Sequence, residues 1–268
     1  MLEIELFKAA ILGIVQGITE FFPISSTAHL IILPWFFGWE GDVNTLTFDT
    51  ALHGGTLLAL ILCFYKDWLN LFFGNKRMLL FILIATIPAG LTGIFLKDIV
   101  EHSFRNPLLI VLTLIGFGIL MLLGERYNKS ISSSIGSKEF QKITLTDAIL
   151  IGLAQSIALI PGVSRSGVTI TAGLFRNLTR ESAARFSFLI STPIIAGATI
   201  FQGRDLILNH DSYSLDLFAI GFFSAFISGF FAIKFLLNFL KRHPLYIFVY
   251  YRFALAGIIL IGYLNQLE

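Results

Sequence analysis

Apolar runs of about 20 residues dominate the chain and are separated by short polar links. Each run is long enough to cross a bilayer as a helix. The pattern therefore predicts six membrane-spanning helices. They lie at about 47–65, 78–97, 107–124, 181–202, 214–239 and 246–266.

Near the N-terminus the apolar pattern is broken by polar residues. Residues 3–20 predict a helix that carries Gln16 and Glu20 one turn apart on one face. Pro23 ends that helix, and a second short helix runs to about Phe37. Its first turn is rich in hydroxyl groups, from Ser25, Ser26 and Thr27. Two short helices around a polar break indicate a re-entrant hairpin, which is tolerated at membrane depth only where it lines a protein cavity.

A second polar break occupies residues 161–171, PGVSRSGVTIT, between two apolar stretches. The Pro-Gly pair ends a helix, and Ser164 is a suitable N-cap for the next one. Backbone N–H groups, serine hydroxyls and the Arg165 guanidinium would then meet at the positive end of a short helix, which suits phosphate. An unpaired arginine in apolar sequence is costly and usually functional. This favours an anion site over an ordinary capped helix.

The two polar breaks belong to a weak internal repeat. Gly13 precedes Gln16 by the same spacing as Gly152 precedes Gln155, and each pair leads into a proline, two serines and three spans. The predicted architecture is an all-α polytopic membrane protein with two inverted-topology repeats, each a re-entrant hairpin plus three transmembrane helices. The units are one membrane domain over 1–268, with repeat 1 at about 1–125, a linker at about 126–143 and repeat 2 at about 144–268.

Lysine and arginine are distributed unequally between the two predicted faces of the membrane. Twelve fall in loops on one side, and four fall on the other: Lys8, Lys97, Arg105 and Arg204. The positive-inside rule places the side with twelve in the cytoplasm, together with the Ser-rich stretch 125–142, which is predicted as a flexible connector. Both termini are then outside, and the tips of the two hairpins meet near mid-membrane.

Composition agrees with this class of protein. The chain is 56% hydrophobic and 13% charged, whereas soluble domains carry about 25% charged residues. Its net charge of +2, without a basic run, argues against a nucleic-acid partner. Glu3 and Glu5 are acidic where a cleavable signal peptide would be basic.

The predicted meeting point of the tips combines groups that phosphoryl transfer needs. A carboxylate can hold a divalent cation, arginine and helix N-termini can hold phosphate, and histidine can transfer a proton. Charge neutralisation, alignment and a proton acceptor are the main requirements of that reaction. The residues are Gln16, Glu20, Ser25, Ser26, Thr27 and His29 from the first half and Ser164, Arg165, Ser166 and Thr169 from the second.

The two motifs resemble the signatures of the undecaprenyl-diphosphate phosphatase family, the bacitracin-resistance proteins. Those signatures, (E/Q)xxxE and PGxSRSxxT, stand here as Gln16-Gly-Ile-Thr-Glu20 and Pro161-Gly-Val-Ser-Arg-Ser-Gly-Val-Thr169. Residues 20–29 are also similar, and the resemblance covers essentially the whole chain. It implies a multi-pass protein of the bacterial plasma membrane, with its active site open to the outer face. Its activity would be hydrolysis of undecaprenyl diphosphate to recycle the lipid carrier of cell-wall synthesis, which confers bacitracin resistance.

The resemblance also implies roles for individual residues. Glu20 would be the metal or catalytic carboxylate, with Mg²⁺ or Ca²⁺ as cofactor, and Ser26 the candidate nucleophile. His29 would be the proton partner of Ser26, and Arg165 would hold the diphosphate. Gln16 stands where the family can have a second carboxylate, so a two-carboxylate metal site is in doubt. The substrate-binding set is Gln16, Ser25, Thr27, Ser164, Ser166 and Thr169.

Alternatives remain open at this point. A polyprenyl-phosphate flippase or transporter could use the same inverted repeat, because broken helices at mid-membrane are a transporter architecture. The acid-phosphatase-like lipid phosphatases share the reaction, but their PSGH and SRxxxxxH patterns do not occur in this sequence. Ser26, His29 and water all remain possible nucleophiles. The expected partners are the lipid substrate and membrane lipids, and a homodimer stays open.

Overall fold

A computed structural model describes residues 2–103, 106–208 and 214–265, and these are helical almost throughout. Arg105 and residue 266, the predicted end of the last span, lie outside the described residues. The helices are α1 (Leu2–Phe21), α2 (Ser26–Phe37), α3 (Leu46–Cys63), α4 (Tyr65–Phe73), α5 (Lys76–Ser103), α6 (Pro107–Ile135), α7 (Leu145–Ser156), α8 (Arg165–Phe175), α9 (Arg180–Leu208), α10 (Leu215–Leu240) and α11 (Tyr246–Asn265). Short 3-10 turns lie at Asp42–Asn44, Phe140–Lys142 and Ile157–Leu159.

Six of the described helices are long and apolar enough to cross a membrane: α3, α5, α6, α9, α10 and α11. They coincide with the six predicted spans, so the prediction of a polytopic all-α membrane protein is confirmed. Helices α1, α2, α7 and α8 form the two predicted pairs of helices around polar breaks.

The predicted flexible connector over 125–142 is wrong for its first part. Helix α6 continues to Ile135 because polar side chains anchor it to the second half. The Asn128 side-chain amide donates to the carbonyls of Leu174 at 3.1 Å and Leu178 at 3.0 Å. The linker predicted at about 126–143 therefore starts later than its polar composition suggested.

The predicted loop at 66–77 is also mostly helical, since α4 covers Tyr65–Phe73. Leu71 is buried, whereas Phe72 and Phe73 are exposed. A nine-residue helix is too short to span a bilayer, so the hydropathy pattern did not reveal it.

The first helix of each half packs closely against the second long span of the other half, α1 on α10 and α7 on α5. Glycines permit both contacts. A Cβ added at Gly13 would lie 2.7 Å from the Cβ of Ser224, and one added at Gly152 would lie 2.7 Å from the Cα of Ala85. Gly13 and Gly152, which the predicted repeat places at equivalent positions, therefore both permit a close approach of backbone.

The tips of the two hairpins, residues 20–26 (first tip) and 161–166 (second tip), contact each other in the protein interior. Ser166, at the start of α8, donates its hydroxyl to the carbonyl of Phe22 at 3.1 Å. The ring of Phe21 meets Phe188 of α9 edge-on, with centroids 5.4 Å apart, inside a large apolar cluster. This packing holds the C-terminal end of α1 beside the N-terminal end of α8.

Candidate active site

The two short helices that follow the tips begin in the same way. Ser25 caps α2 with its hydroxyl accepting from the N–H of Ala28, and Ser164 caps α8 by accepting from the N–H of Gly167. Both serines have a positive φ, 75° and 72°. Non-glycine residues rarely adopt this conformation, and it is concentrated at functional sites. Each tip therefore presents a helix N-terminus through a strained serine.

Glu20 is the centre of the polar cluster between the tips. The residue is 7% exposed, and its carboxylate accepts three side-chain hydrogen bonds. Ser26 donates to Oε2 at 2.6 Å and Gln16 donates to the same oxygen at 3.1 Å. Arg165 donates from Nη2 to Oε1. The carboxylate of the first half is thus paired with the guanidinium of the second.

Arg165 keeps hydrogen-bonding capacity for a ligand. Its Nη1 makes a long contact, 3.4 Å, to the carbonyl of Ser191. The guanidinium lies at the N-terminus of α8, where the helix dipole also favours an anion. A diphosphate arriving here could take the bidentate contacts for which arginine is well shaped.

A cavity of about 180 Å³ opens beside this ion pair. His53 of α3 lines it, with Nε2 3.7 Å from Glu20 Oε2. Its Nδ1 is 2.7 Å from the carbonyl of Asp49, which leaves Nε2 facing the carboxylate. The remaining lining residues are Thr19, Ser25, Ser26, Thr27, Ala89, Gln155, Ala158, Leu159, Ser164, Arg165, Ile194, Ile195 and Ala198. The wall therefore joins a polar, charged part to an apolar part, as a site for a lipid diphosphate requires.

Six of the ten predicted site residues line this cavity: Glu20, Ser25, Ser26, Thr27, Ser164 and Arg165. The structure places the other four behind them. Gln16 lies behind Glu20, and Ser166 joins the two tips. Thr169 bonds to the carbonyl of Arg165 at 2.7 Å and to the hydroxyl of Ser187 at 2.6 Å.

His29 is the fourth of these, and its ring is engaged away from Ser26. Nδ1 lies 2.7 Å from the carbonyl of Ser25, which can only accept, so that nitrogen carries the proton. Nε2 lies 2.7 Å from the hydroxyl of Tyr251 and accepts from it. Ser26 donates to Glu20 instead, so the predicted pairing of Ser26 with His29 is not formed.

Sequence reasoning gave no role to four residues that the structure brings to the site or its support: His53, Gln155, Tyr251 and Arg252. A signal existed for three of them. His53 and Asp49 lie one turn apart at the start of a span, and Gln155 is the repeat equivalent of Gln16. Arg252 is a charge inside the last apolar run, a position that usually marks function.

Arg252 is fully buried and ties both tips to α6. Its guanidinium donates to five backbone carbonyls, at 2.7–3.4 Å. Pro23 belongs to the first tip, Gly162 and Val163 belong to the second, and Thr113 and Leu114 lie in α6. One side chain thus fixes the distance between the two strained turns.

The residues present fit a divalent cation that is held mainly by a phosphate ligand. Among the described residues, no group of three or more His, Cys, Asp or Glu could form a protein cage for a metal. Glu20 is the acidic donor, and the fully buried Oε1 of Gln16 has no partner in the described part of the chain. Mg²⁺ commonly binds through one or two carboxylates plus substrate phosphates, which agrees with this donor set.

A larger cavity of about 630 Å³ lies away from the tips, and three of the cations that line it are already paired with carboxylates. Arg180 makes a bidentate contact to Glu125, and Arg185 pairs with Asp67. Lys241 lies 3.4 Å from Glu181. Because these carboxylates neutralise the wall, the smaller cavity at the tips is the better anion site.

Comparison with known proteins agrees with the motifs. Residues 9–258 match the family described as bacitracin resistance protein BacA. A relative from Thermodesulfovibrio yellowstonii, named undecaprenyl-diphosphatase, is 58% identical over 259 residues, covering 97% of this chain and 98% of that protein. Undecaprenyl-diphosphatases from Caldicellulosiruptor bescii and Desulforudis audaxviator are 46% and 44% identical, covering 96% and 93% of this chain and 97% and 95% of their own.

Proposed function

The chain belongs to the bacitracin resistance protein BacA family, and from this premise we propose that it hydrolyses undecaprenyl diphosphate. The products are undecaprenyl phosphate and inorganic phosphate, so the enzyme recycles the lipid carrier of cell-wall synthesis and confers bacitracin resistance. The observation that carries the proposal is the Glu20–Arg165 pair, which joins a carboxylate from one tip to a phosphate-binding guanidinium from the other.

In the proposed reaction the second tip binds and the first tip performs the chemistry. The diphosphate binds to the guanidinium of Arg165 and to the N-terminus of α8. This binding releases Glu20 from its ion pair with Arg165. The hydroxyl oxygen of Ser26 then bonds to the terminal phosphorus, and Glu20 accepts the proton that this hydroxyl loses. The bond from that phosphorus to the bridging oxygen breaks, undecaprenyl phosphate leaves, and water later releases phosphate from Ser26. The 2.6 Å hydrogen bond from Ser26 to Glu20 supports this choice of base.

His29 has a different role in this scheme. Its bonds to the Ser25 carbonyl and the Tyr251 hydroxyl support positioning of the first tip rather than proton transfer to Ser26. Mg²⁺ or Ca²⁺, the proposed cofactor, would be held by Glu20 and the substrate phosphates. When bound, it would neutralise charge on the phosphoryl oxygens.

We also propose the inverted arrangement of the two repeats in the bacterial plasma membrane, with the cavity open to the outer face. The crossed packing of α1 on α10 and α7 on α5 supports it. A cysteine placed at Asn265 in a Cys63→Ala background tests it. The new cysteine should react with an impermeant thiol reagent added to intact spheroplasts. Labelling only after lysis would contradict the arrangement.

Phosphate release from purified protein tests the activity itself. With undecaprenyl diphosphate, the wild type should release phosphate, and a chelator should stop it. Ser26→Ala and Glu20→Gln, purified identically, serve as inactive controls. Release that is unchanged in both variants would place the activity elsewhere.

The crossed halves also suit the alternative function, a polyprenyl-phosphate flippase or transporter. Lipid translocation in proteoliposomes, without phosphate release, would favour that function over hydrolysis. A homodimer is tested by the mass of the solubilised protein, since one chain is 29.8 kDa.

A further inference from the structure

Gln155 of α7 is a buried polar side chain beside the candidate active site, and it has no partner among the described residues. It is 2% exposed and lines the cavity together with Glu20, Ser26 and Arg165. Neither its Oε1 nor its Nε2 has a hydrogen-bond partner within the part of the chain that the structure describes. A carboxamide has two donors and an acceptor that burial removes from water, so leaving all of them unpaired costs free energy.

The surroundings of Gln155 can be compared with those of its counterpart in the predicted repeat. Gln16, the equivalent residue of the first half, donates to Glu20 and lies outside the cavity wall. The two glutamines thus share a position in the repeat but face different surroundings. Gln16 supports a protein carboxylate, whereas Gln155 presents its amide to the cavity.

The packing of α7 explains how Gln155 reaches this position. Three residues earlier on the same side of the helix, Gly152 lets α7 approach Ala85 of α5. One turn further along α5, Ala89 lines the cavity with Gln155. The close contact therefore fixes α7 so that its last turn borders the cavity.

We propose that Gln155 is a substrate-contact residue: its Nε2 donates to an oxygen of the bound diphosphate, and its Oε1 accepts from a water molecule in the site. This inference rests on the proposed function, since it assumes a diphosphate ligand. A neutral amide adds a donor to the anion site without adding another charge near the Glu20–Arg165 pair. It therefore complements the guanidinium rather than replacing it.

The replacement Gln155→Met tests the role because methionine keeps the length of the side chain and removes both polar ends. Thermal unfolding of the detergent-solubilised protein is measured with and without inorganic pyrophosphate, beside Ser156→Ala as a matched control on the same turn of α7. We expect an unliganded Tm equal to or above that of the wild type, because a buried unpaired amide is gone. The shift of Tm by pyrophosphate should be largely lost, and the KM for undecaprenyl diphosphate should rise about tenfold, as expected for a lost hydrogen bond to a charged group.

A second variant, Gln155→Glu, keeps a polar side chain but places a negative charge against the phosphates. It should weaken the response to pyrophosphate more than Gln155→Met does. An unliganded Tm well below wild type in Gln155→Met would reveal a structural partner and overturn the inference. So would a wild-type response to pyrophosphate in both variants. If the wild type itself neither responds to pyrophosphate nor releases phosphate, the proposed function fails and the inference fails with it.

Discussion

The tip around Ser25 and the tip around Ser164 have the same backbone conformation but carry side chains of different charge. Both turns hold their serine at a positive φ, and both serines cap the next helix. The first tip then contributes the carboxylate of Glu20, and the second contributes the guanidinium of Arg165. The repeated backbone supplies two helix N-termini, and the side chains that differ divide the work between them.

In the proposed reaction this division makes the site depend on both halves. A pair of like charges at the tips would repel, whereas the present charges are opposite and attract each other, and a diphosphate can take the place of the carboxylate on the guanidinium. Changes at the first tip should affect turnover, and changes at the second tip should affect binding.

Neutralising the carboxylate of the first tip should have the largest effect. Glu20→Gln keeps the shape but removes the base for Ser26, and we expect kcat to fall by about 10³-fold. Steady-state phosphate release measures this fall in kcat. The control is Glu139→Gln, the same replacement at an exposed residue. Near-normal turnover in Glu20→Gln would remove the carboxylate from the mechanism.

Changing the cation of the second tip should have the next largest effect. Arg165→Lys keeps the charge but replaces a bidentate fork by a point charge, so kcat/KM should fall by about 10²-fold. The exposed Arg126→Lys is the matched control. If kcat and KM of Arg165→Lys stay close to wild type, this guanidinium does not clamp phosphate.

Loosening the link between the tips should reduce activity less and stability more. Arg252→Met leaves five backbone carbonyls without their donor, and we expect a loss of about 3 kcal/mol or more in unfolding free energy. Thermal unfolding in detergent measures it. Lys234→Met removes a cation from the exposed face of α10 and should have little effect. Equal stability of the two variants would show that Arg252 does not hold the tips together.

The smallest effect should come from adding charge to the first tip. Gln16→Glu supplies a second carboxylate beside Glu20, so the enzyme should stay active and need a lower concentration of Mg²⁺ or Ca²⁺. Activity against metal concentration measures the change. A complete loss of activity would mean that the amide of Gln16 is required to orient Glu20.

Hydropathy was sufficient to predict the six spans, because burial in lipid selects long apolar runs. The internal repeat predicted that the two tips meet, and this brings Glu20, just before the first helix break, to Arg165, just after the second. The partner of His29 was not predictable, because Tyr251 is 222 positions away and only tertiary packing brings it close. The helical start of the linker was missed for a related reason. A polar residue such as Asn128 is typical of a loop, and the sequence does not show that its side chain donates to buried carbonyls.

Binding measured without catalysis tests the division between the tips most directly. Isothermal titration with farnesyl methylenediphosphonate, which cannot be hydrolysed at its P–C–P bridge, is carried out in a chelating buffer on the wild type, Glu20→Gln and Arg165→Lys. We expect Glu20→Gln to bind at least as tightly as the wild type, because a negative charge has left the anion site. Arg165→Lys should bind at least about tenfold more weakly. Unchanged affinity in Arg165→Lys with lost affinity in Glu20→Gln would show that the first tip, and not the guanidinium of the second, binds the diphosphate.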